Sequence, residues 1–349
     1  MLKECAVKGR AGRMFIDVEP ARIVTIHLNQ IGDLLFSLPA LYNLRHRFPN
    51  AAISSVVRPS CAELLDRSNL VNETVYRPKG SILSDIKIGM ELSRDHYDLL
   101  LLFSTSFATW LIAQASRARF KAGFDDLMHG AGLDLIVPWS PPPSTANNLR
   151  LSAEVGCEDI KSDYVGLVHT REEDRESAAK LLSSAGIAEN ERFVVLSAGT
   201  STGREIKCWS DDKFALTAER LWNEAGLESV IVGASGGERI ARFSPHVVDL
   251  TGKTSLPVLA AVLERSGLFI GVDSGVMHLA AAMGARVIGL FGPTDASATG
   301  PQGDGHVIVR VDTECSPCRK SHCEAPRCMS NISVDDVMQA IPSDEFCNQ

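Results

Sequence analysis

Short runs of β-branched and apolar residues alternate along almost the whole chain with segments whose apolar residues recur every three to four positions, and this alternation leaves few folds open. Residues 22–28 read RIVTIHL, 51–57 AAISSVV and 97–103 YDLLLLF; residues 193–196, 229–232, 268–271 and 286–291 are of the same kind. Consecutive apolar positions suit a parallel strand covered on both faces. Between the first two runs, Leu34, Leu38, Leu41, Leu44 and Phe48 keep helical spacing up to Pro49-Asn50. Pro39 falls inside that pattern, so either the helix is kinked there or its regular part begins at Pro39. Residues 173–184, 211–224, 256–265 and 276–283 supply further helices. Strands alternating with helices predict an α/β protein whose parallel sheets are covered on both sides.

A chain of 349 residues has room for two such domains. A proline-dense loop starts at Pro138, and a charged run at 171–176 opens a helix, which places the domain boundary around 165–190. The expected division is an N-terminal extension (1–20), a first Rossmann-like domain (21–175) and a second (176–349). The extension carries Lys3, Lys8, Arg10 and Arg13 but no apolar core of a secretory signal, and no stretch approaches the roughly 18 to 20 apolar residues of a membrane span. A cytoplasmic location is expected. The net charge of −8 argues against nucleic acid as a partner.

In parallel α/β sheets, ligands sit at the carboxyl ends of the strands, so the post-strand turns are where chemistry is sought. Asp33 follows Gly32 just after the first strand; it reads either as a helix N-cap or as a general base that takes a proton from an attacking hydroxyl. After residues 193–196 comes a loop of small and hydroxyl residues, Gly199-Thr200-Ser201-Thr202-Gly203, with Lys207 beyond it. Such a loop suits a pyrophosphate, although it is not a Walker A sequence. After residues 268–271 come Asp273, Ser274 and Gly275, then His278 on the first turn of a helix. Asp273 is an N-cap or a ligand contact; His278 either turns toward the same spot or is a buried structural residue.

Of nine cysteines, Cys5, Cys61, Cys157, Cys208 and Cys347 are scattered and expected to be reduced. Cys315, Cys318, Cys323 and Cys328 are spaced C-x2-C-x4-C-x4-C, which could give a zinc ion four thiolates or, with Arg319, Lys320, His322 and Arg327, be simply a basic loop. No acidic DxD pair for a donor metal is evident, so no catalytic cofactor is expected.

The segments IGDLLFSLPALYNLRHRFPNAAI (31–53), GTSTGREIKCW (199–209), GVDSGVMHLAAAMGARVIGLFGPTD (271–295) and CSPCRKSHCEAPRCM (315–329) stand in the order found in the ADP-heptose lipopolysaccharide heptosyltransferases, glycosyltransferase family 9, which the chain resembles over residues 21–340. The resemblance implies a GT-B architecture, two Rossmann-like doubly wound domains facing across a cleft, acceptor on the first and nucleotide on the second. It implies an inverting heptosyl transfer from ADP-heptose to a glycolipid of the lipopolysaccharide core, with peripheral contact at the inner membrane. Carried over by position, Asp33 resembles the catalytic base, and Thr200, Ser201, Lys207, Asp273, Ser274, Gly275 and His278 resemble donor-binding residues. Glu238, after GASGG, resembles a carboxylate on the nucleoside ribose. Two other readings stay open: a catalytically silent sugar-nucleotide-binding protein of the same fold, and a GT-B sugar-nucleotide epimerase.

Overall fold

The computed structural model describes residues 19–27, 30–125, 130–140, 143–200, 203–318 and 320–342. The N-terminal extension up to residue 18, Ser201, Cys5 and Cys347 lie outside the described residues. The chain divides into two units between Leu167 and Val168, N-terminal to the boundary read at 175/176. The physical reason is Glu264 of the second unit, whose carboxylate accepts from Thr170 Oγ1 at 2.6 Å and from Arg175 Nε at 3.2 Å.

The first unit carries β1 (Arg22–His27), α1 (Ile31–Arg47), β2 (Ala52–Val57), α2 (Pro59–Asp66), β3 (Glu73–Tyr76), α3 (Ile82–Leu92), β4 (Leu99–Phe103), α4 (Phe107–Ala115), β5 (Phe120–Phe124), β6 (Leu135–Val137) and α5 (Ser144–Glu154). Its sheet runs β3-β2-β1-β4-β5-β6, with parallel pairings. β4, LLLLF, is buried at every position, as a central strand covered on both faces must be.

The second unit carries α6 (Glu172–Ser184), β7 (Phe193–Ser197), α7 (Asp211–Ala225), β8 (Glu228–Ile231), α8 (Gly237–Ala241), β9 (Val247–Asp249), α9 (Leu256–Ser266), β10 (Leu268–Val272), α10 (Gly275–Ala282), β11 (Arg286–Leu290), α11 (Ala296–Thr299), β12 (Val307–Val309), α12 (Arg327–Ser330) and α13 (Val334–Ala340). Its sheet order, β12-β11-β10-β7-β8-β9, is the same winding. Each sheet therefore reverses direction once, between β1 and β4 and between β7 and β10. In doubly wound folds these switch points open the crevice in which ligands bind.

α1 runs through Pro39 without ending. The proline has no N–H for the carbonyl four residues back, and its ring crowds that turn. Side chains serve the neighbouring carbonyls: Ser37 Oγ donates to Leu34 O at 2.7 Å, and the buried Asn148 of α5 donates through Nδ2 to Phe36 O at 3.0 Å.

A buried polar relay fixes the start of α1 to the sheet. Ser37 Oγ spends its proton on Leu34, so it accepts from His27 Nδ1 at 2.8 Å. His27 Nε2 then accepts from Thr25 Oγ1 at 2.8 Å, and Thr25 Oγ1 accepts from Ser55 Oγ at 2.5 Å. The direction of these bonds assigns the ring proton to Nδ1. Burial pushes His27 down to about 3, and the neutral ring stacks on Phe103 with centroids 5.4 Å apart.

The sign of the resulting pH dependence follows. The folded pKa lies below the unfolded value of about 6.5, so protonation favours the unfolded chain. His27 contributes stability that is fully present above pH 6.5 and is lost as pH falls toward 3, by up to about 1.4 kcal/mol per pH unit. Urea midpoints of the wild type should fall between pH 6.5 and 4.5, and those of His27→Gln should fall less steeply; equal slopes would show that His27 is not the group responsible.

Candidate functional site

On the first unit the switch point is occupied by the opening turn of α1. Its N-cap is Gln30, with no side-chain capping bond, so Asp33 is the third helical residue and not the N-cap read from the sequence. A carboxylate there sits favourably in the field of the first turn's amides. Asp33 is half-buried. The adjacent post-strand turn, after β2, supplies Arg58, the N-cap of α2, with Pro59 opening that helix. Both charges reach the buried Cys61: burial pushes its thiol up, Asp33 adds to the rise and Arg58 opposes it. Sequence reading missed Arg58; its signal was an arginine between the end of a strand run and a helix-opening proline.

On the second unit the switch point brings together residues read separately along the chain. Ser197 at the end of β7 is in register with Gly271 of β10. A Cβ at Gly271 would stand 2.7 Å from Ser197 O and as close to the Phe269 ring, so glycine lets the two strands and their following turns lie side by side. From the turn after β7, Lys207 Nζ donates to Asp273 Oδ2 at 2.7 Å; the side chains are only 16% and 6% exposed. The N-cap of α10 is Ser274, whose hydroxyl accepts from Met277 N, with Gly275 opening the helix. Asp273 is therefore not the cap, and its carboxylate serves Lys207.

His278 lies one turn into α10, its Nε2 4.0 Å from Asp273 Oδ1, too far for a hydrogen bond. Burial pushes it down to about 4; the Asp273 carboxylate pulls the other way, and Lys207 adds to the fall. It is a neutral imidazole, able to donate or accept beside the ion pair without adding charge. Thr200 stands half-buried after β7. Glu238 is exposed on α8, after the neighbouring strand β8 at the same sheet edge, and no bond joins it to Lys207 or Asp273.

Two further hydroxyls stand at this edge. Ser197 Oγ and Thr294 Oγ1, from the ends of β7 and of the turn after β11, are buried without a hydrogen-bond partner among the described residues. Buried polar atoms nearly always find partners, so these two mark where the site's polarity exceeds what the protein itself satisfies.

The cysteine-containing tail is tied to the turn after β11. Cys318 N donates to Pro293 O at 2.9 Å, and Ser316 Oγ donates to Gly292 O. A Cβ on Gly292 would lie 2.6 Å from Met329 Sδ and 3.0 Å from Cys328 Sγ. The tail is thus packed directly on the Phe291–Asp295 turn. Burial, with the charges of Cys318, Cys315 and Cys323, pushes the Cys328 thiol up. Among the described residues no three His, Cys, Asp or Glu side chains are grouped so that they could hold a metal ion. None of the seven described cysteines is in a disulfide.

The family model of glycosyltransferase family 9 (heptosyltransferase) matches residues 86–328. Lipopolysaccharide heptosyltransferase 3 of Escherichia coli K12 is 28% identical over 287 residues, 76% of this chain and 80% of that protein. Among solved structures, the E. coli ADP-heptose lipopolysaccharide heptosyltransferase II is similar with a TM-score of 0.76 at 20% identity, covering 91% of this chain and 97% of its own. The glycosyl transferase family 9 protein of Veillonella parvula DSM 2008 gives 0.79 at 21% identity, covering 93% and 97%. The two six-stranded doubly wound sheets and these likenesses show the GT-B fold class. With the family pattern spanning most of the sequence, the chain belongs to glycosyltransferase family 9, the heptosyltransferase family, and is a glycosyltransferase.

Proposed function

We propose that the protein transfers a heptose from ADP-heptose, with inversion, to a glycolipid acceptor of the lipopolysaccharide core type. The observation that carries this reading is the Lys207–Asp273 pair at the switch point of the second sheet, where a doubly wound fold binds nucleotides. The names of the relatives support the sugar and the acceptor, and the name of one similar structure supports the donor.

The donor diphosphate lies against Lys207, the hydroxyls of Thr200, Ser201 and Ser274, and the free amides opening α10 at Gly275. Glu238 takes the nucleoside ribose. Asp33 accepts the proton of an acceptor hydroxyl as its oxygen bonds to the anomeric carbon; the bond from that carbon to the diphosphate oxygen breaks, and ADP leaves with the electron pair. Lys207 and the α10 amides meet the charge that grows on the leaving group. Asp273 holds Lys207 in place, and neutral His278 can hydrogen-bond to the donor without repelling Lys207. The enzyme works in the cytoplasm, at the membrane that holds its acceptor. The contact proposed is peripheral; among the described residues no helix is long and apolar enough to cross that membrane.

Mass-spectrometric detection of heptose added to a heptose-deficient core acceptor tests the whole reading; donor turnover without transfer, or isomerised donor, would contradict it. Asp33→Asn should lower kcat by roughly 10²- to 10⁴-fold with the ADP Kd unchanged. As a third helical residue it should cost no more than about 1 kcal/mol of stability. Near-wild-type turnover would leave Asp33 as a helix-dipole partner only. Lys207→Met should raise the ADP Kd by about 10- to 100-fold, the worth of a charge-assisted bond. Calorimetry showing unchanged affinity in both Lys207→Met and Asp273→Asn would remove the donor site. Because the leaving group is met by Lys207 and backbone amides, turnover should persist in EDTA; complete loss restored by magnesium would place a metal on the donor.

A further inference from the structure

Helix α3, ILSDIKIGMEL, is apolar on two faces, and the fold covers one of them. Asp85, Ile88, Gly89 and Leu92 are buried. A Cβ on Gly89 would stand 2.5 Å from Ala115 Cβ and 2.6 Å from Ile112 O, so α4 is seated against that face at backbone contact and sets the helix's rotation. The other face carries Ile82, Ile86 and Met90 at spacing i, i+4, i+8, with Leu83 beside them. Ile82 is 57% exposed, Leu83 77% and Met90 60%; Ile86 is half-buried. Tyr76, ending the edge strand β3 just before the helix, is 58% exposed. A contiguous apolar stripe of this kind on a solvent-facing helix marks an interaction surface.

Charge decides what covers it. In a chain of net charge −8, residues 76–92 hold three cations, Arg77, Lys79 and Lys87, against two acids, Asp85 and Glu91. Asp85 is buried and neutralised by Arg77 Nε at 2.8 Å. Lys79 and Lys87 are exposed, and Lys87 is only loosely engaged by Glu91 at 3.9 Å. Large aliphatic residues flanked by two exposed lysines, with Asp85 withdrawn and Glu91 at the far end of the helix, form the amphipathic pattern that settles in the headgroup layer of an anionic bilayer, lysine stems lying along the apolar surface. The first turn of α3 follows β3 and so lies at the carboxyl edge of the first sheet, the edge that carries Asp33.

We propose that the Ile82–Leu83–Ile86–Met90 face of α3, with Lys79 and Lys87, docks the protein on an anionic lipid surface and presents the Asp33 edge to an acceptor that stays in the bilayer. The inference rests on the glycolipid acceptor proposed above. It names the part of the chain that meets the membrane.

Flotation of the full chain with phosphatidylethanolamine/phosphatidylglycerol vesicles, and separately with phosphatidylcholine vesicles, tests it. Ile82→Ser/Leu83→Ser should lower the partition onto anionic vesicles by about tenfold or more. Lys79→Glu/Lys87→Glu should lower it comparably on anionic vesicles and leave phosphatidylcholine binding unchanged. The altered side chains are exposed, so melting temperature and ADP Kd should hold. On a deacylated, water-soluble acceptor kcat and KM should match the wild type, whereas KM for a vesicle-embedded acceptor should rise. Equal flotation of wild type and variants overturns the proposal. So does self-association of the wild type without vesicles that the serine variant abolishes while flotation persists, because the face would then cover a second copy. Wild-type protein that floats through this face but glycosylates neither acceptor supports the docking and sinks the heptosyl-transfer reading instead.

Discussion

Parallel pairing of strands buried on both faces is the constraint from which the rest follows. Strands such as β4 and β10, buried at every position, can be joined in parallel only by crossovers that pass over the faces of the sheet. Every strand therefore ends at the same edge, and every post-strand turn arrives there together. Winding outward in two directions from β1/β4 and from β7/β10 leaves one gap per sheet where neighbouring helices lie on opposite faces. Asp33 and the Lys207–Asp273 pair stand at those two gaps. Their chemistry is local, but their addresses come from topology.

The central strands were legible because burial on both faces writes itself as uninterrupted apolar residues. The edges were not: β3, β6, β9 and β12 are three or four residues long, too short for a period to show, and ETVY or VVD could belong to any loop. α3 was missed for a different reason. Apolar residues on two faces blur the one-sided periodicity by which a helix is recognised. At the site, residue types and turns were legible but partners were not. Nothing local in the sequence ties Lys207 to Asp273, 66 residues away; the register of β7 against β10 does. Neither aspartate weighed as a cap is one: the caps are Gln30, three residues before Asp33, and Ser274, directly after Asp273, because capping is decided by backbone dihedrals and not by residue type alone.

In the tail, spacing alone does not fix which neighbours the thiols take. Thiols at regular intervals are a metal pattern only where the backbone folds them round a common centre. Here Cys328 is drawn into the core beside Met329 and Ile332, while Cys315 is exposed. Backbone and hydroxyl bonds from the same segment hold the Phe291–Asp295 turn. Trp209 and Lys213 add anchors to Ile332 O at 3.0 and 2.7 Å. The last elements of the chain thus steady the donor edge of the second sheet from outside it.

The hydrogen bond from Asn148 to Phe36 O spans 112 residues. During synthesis, at 5 to 20 residues per second, α1 waits on the order of ten seconds for the α5 side chain that reaches Phe36 O, the carbonyl next to the one that Pro39 leaves without its helical N–H. Until then the helix that presents Asp33 has no neighbour in α5. The first unit is consequently finished by its last helix and not by its first. The helix bearing the carboxylate on which the reaction is proposed to turn matures late in the life of the nascent chain, although it is among the first segments to be made.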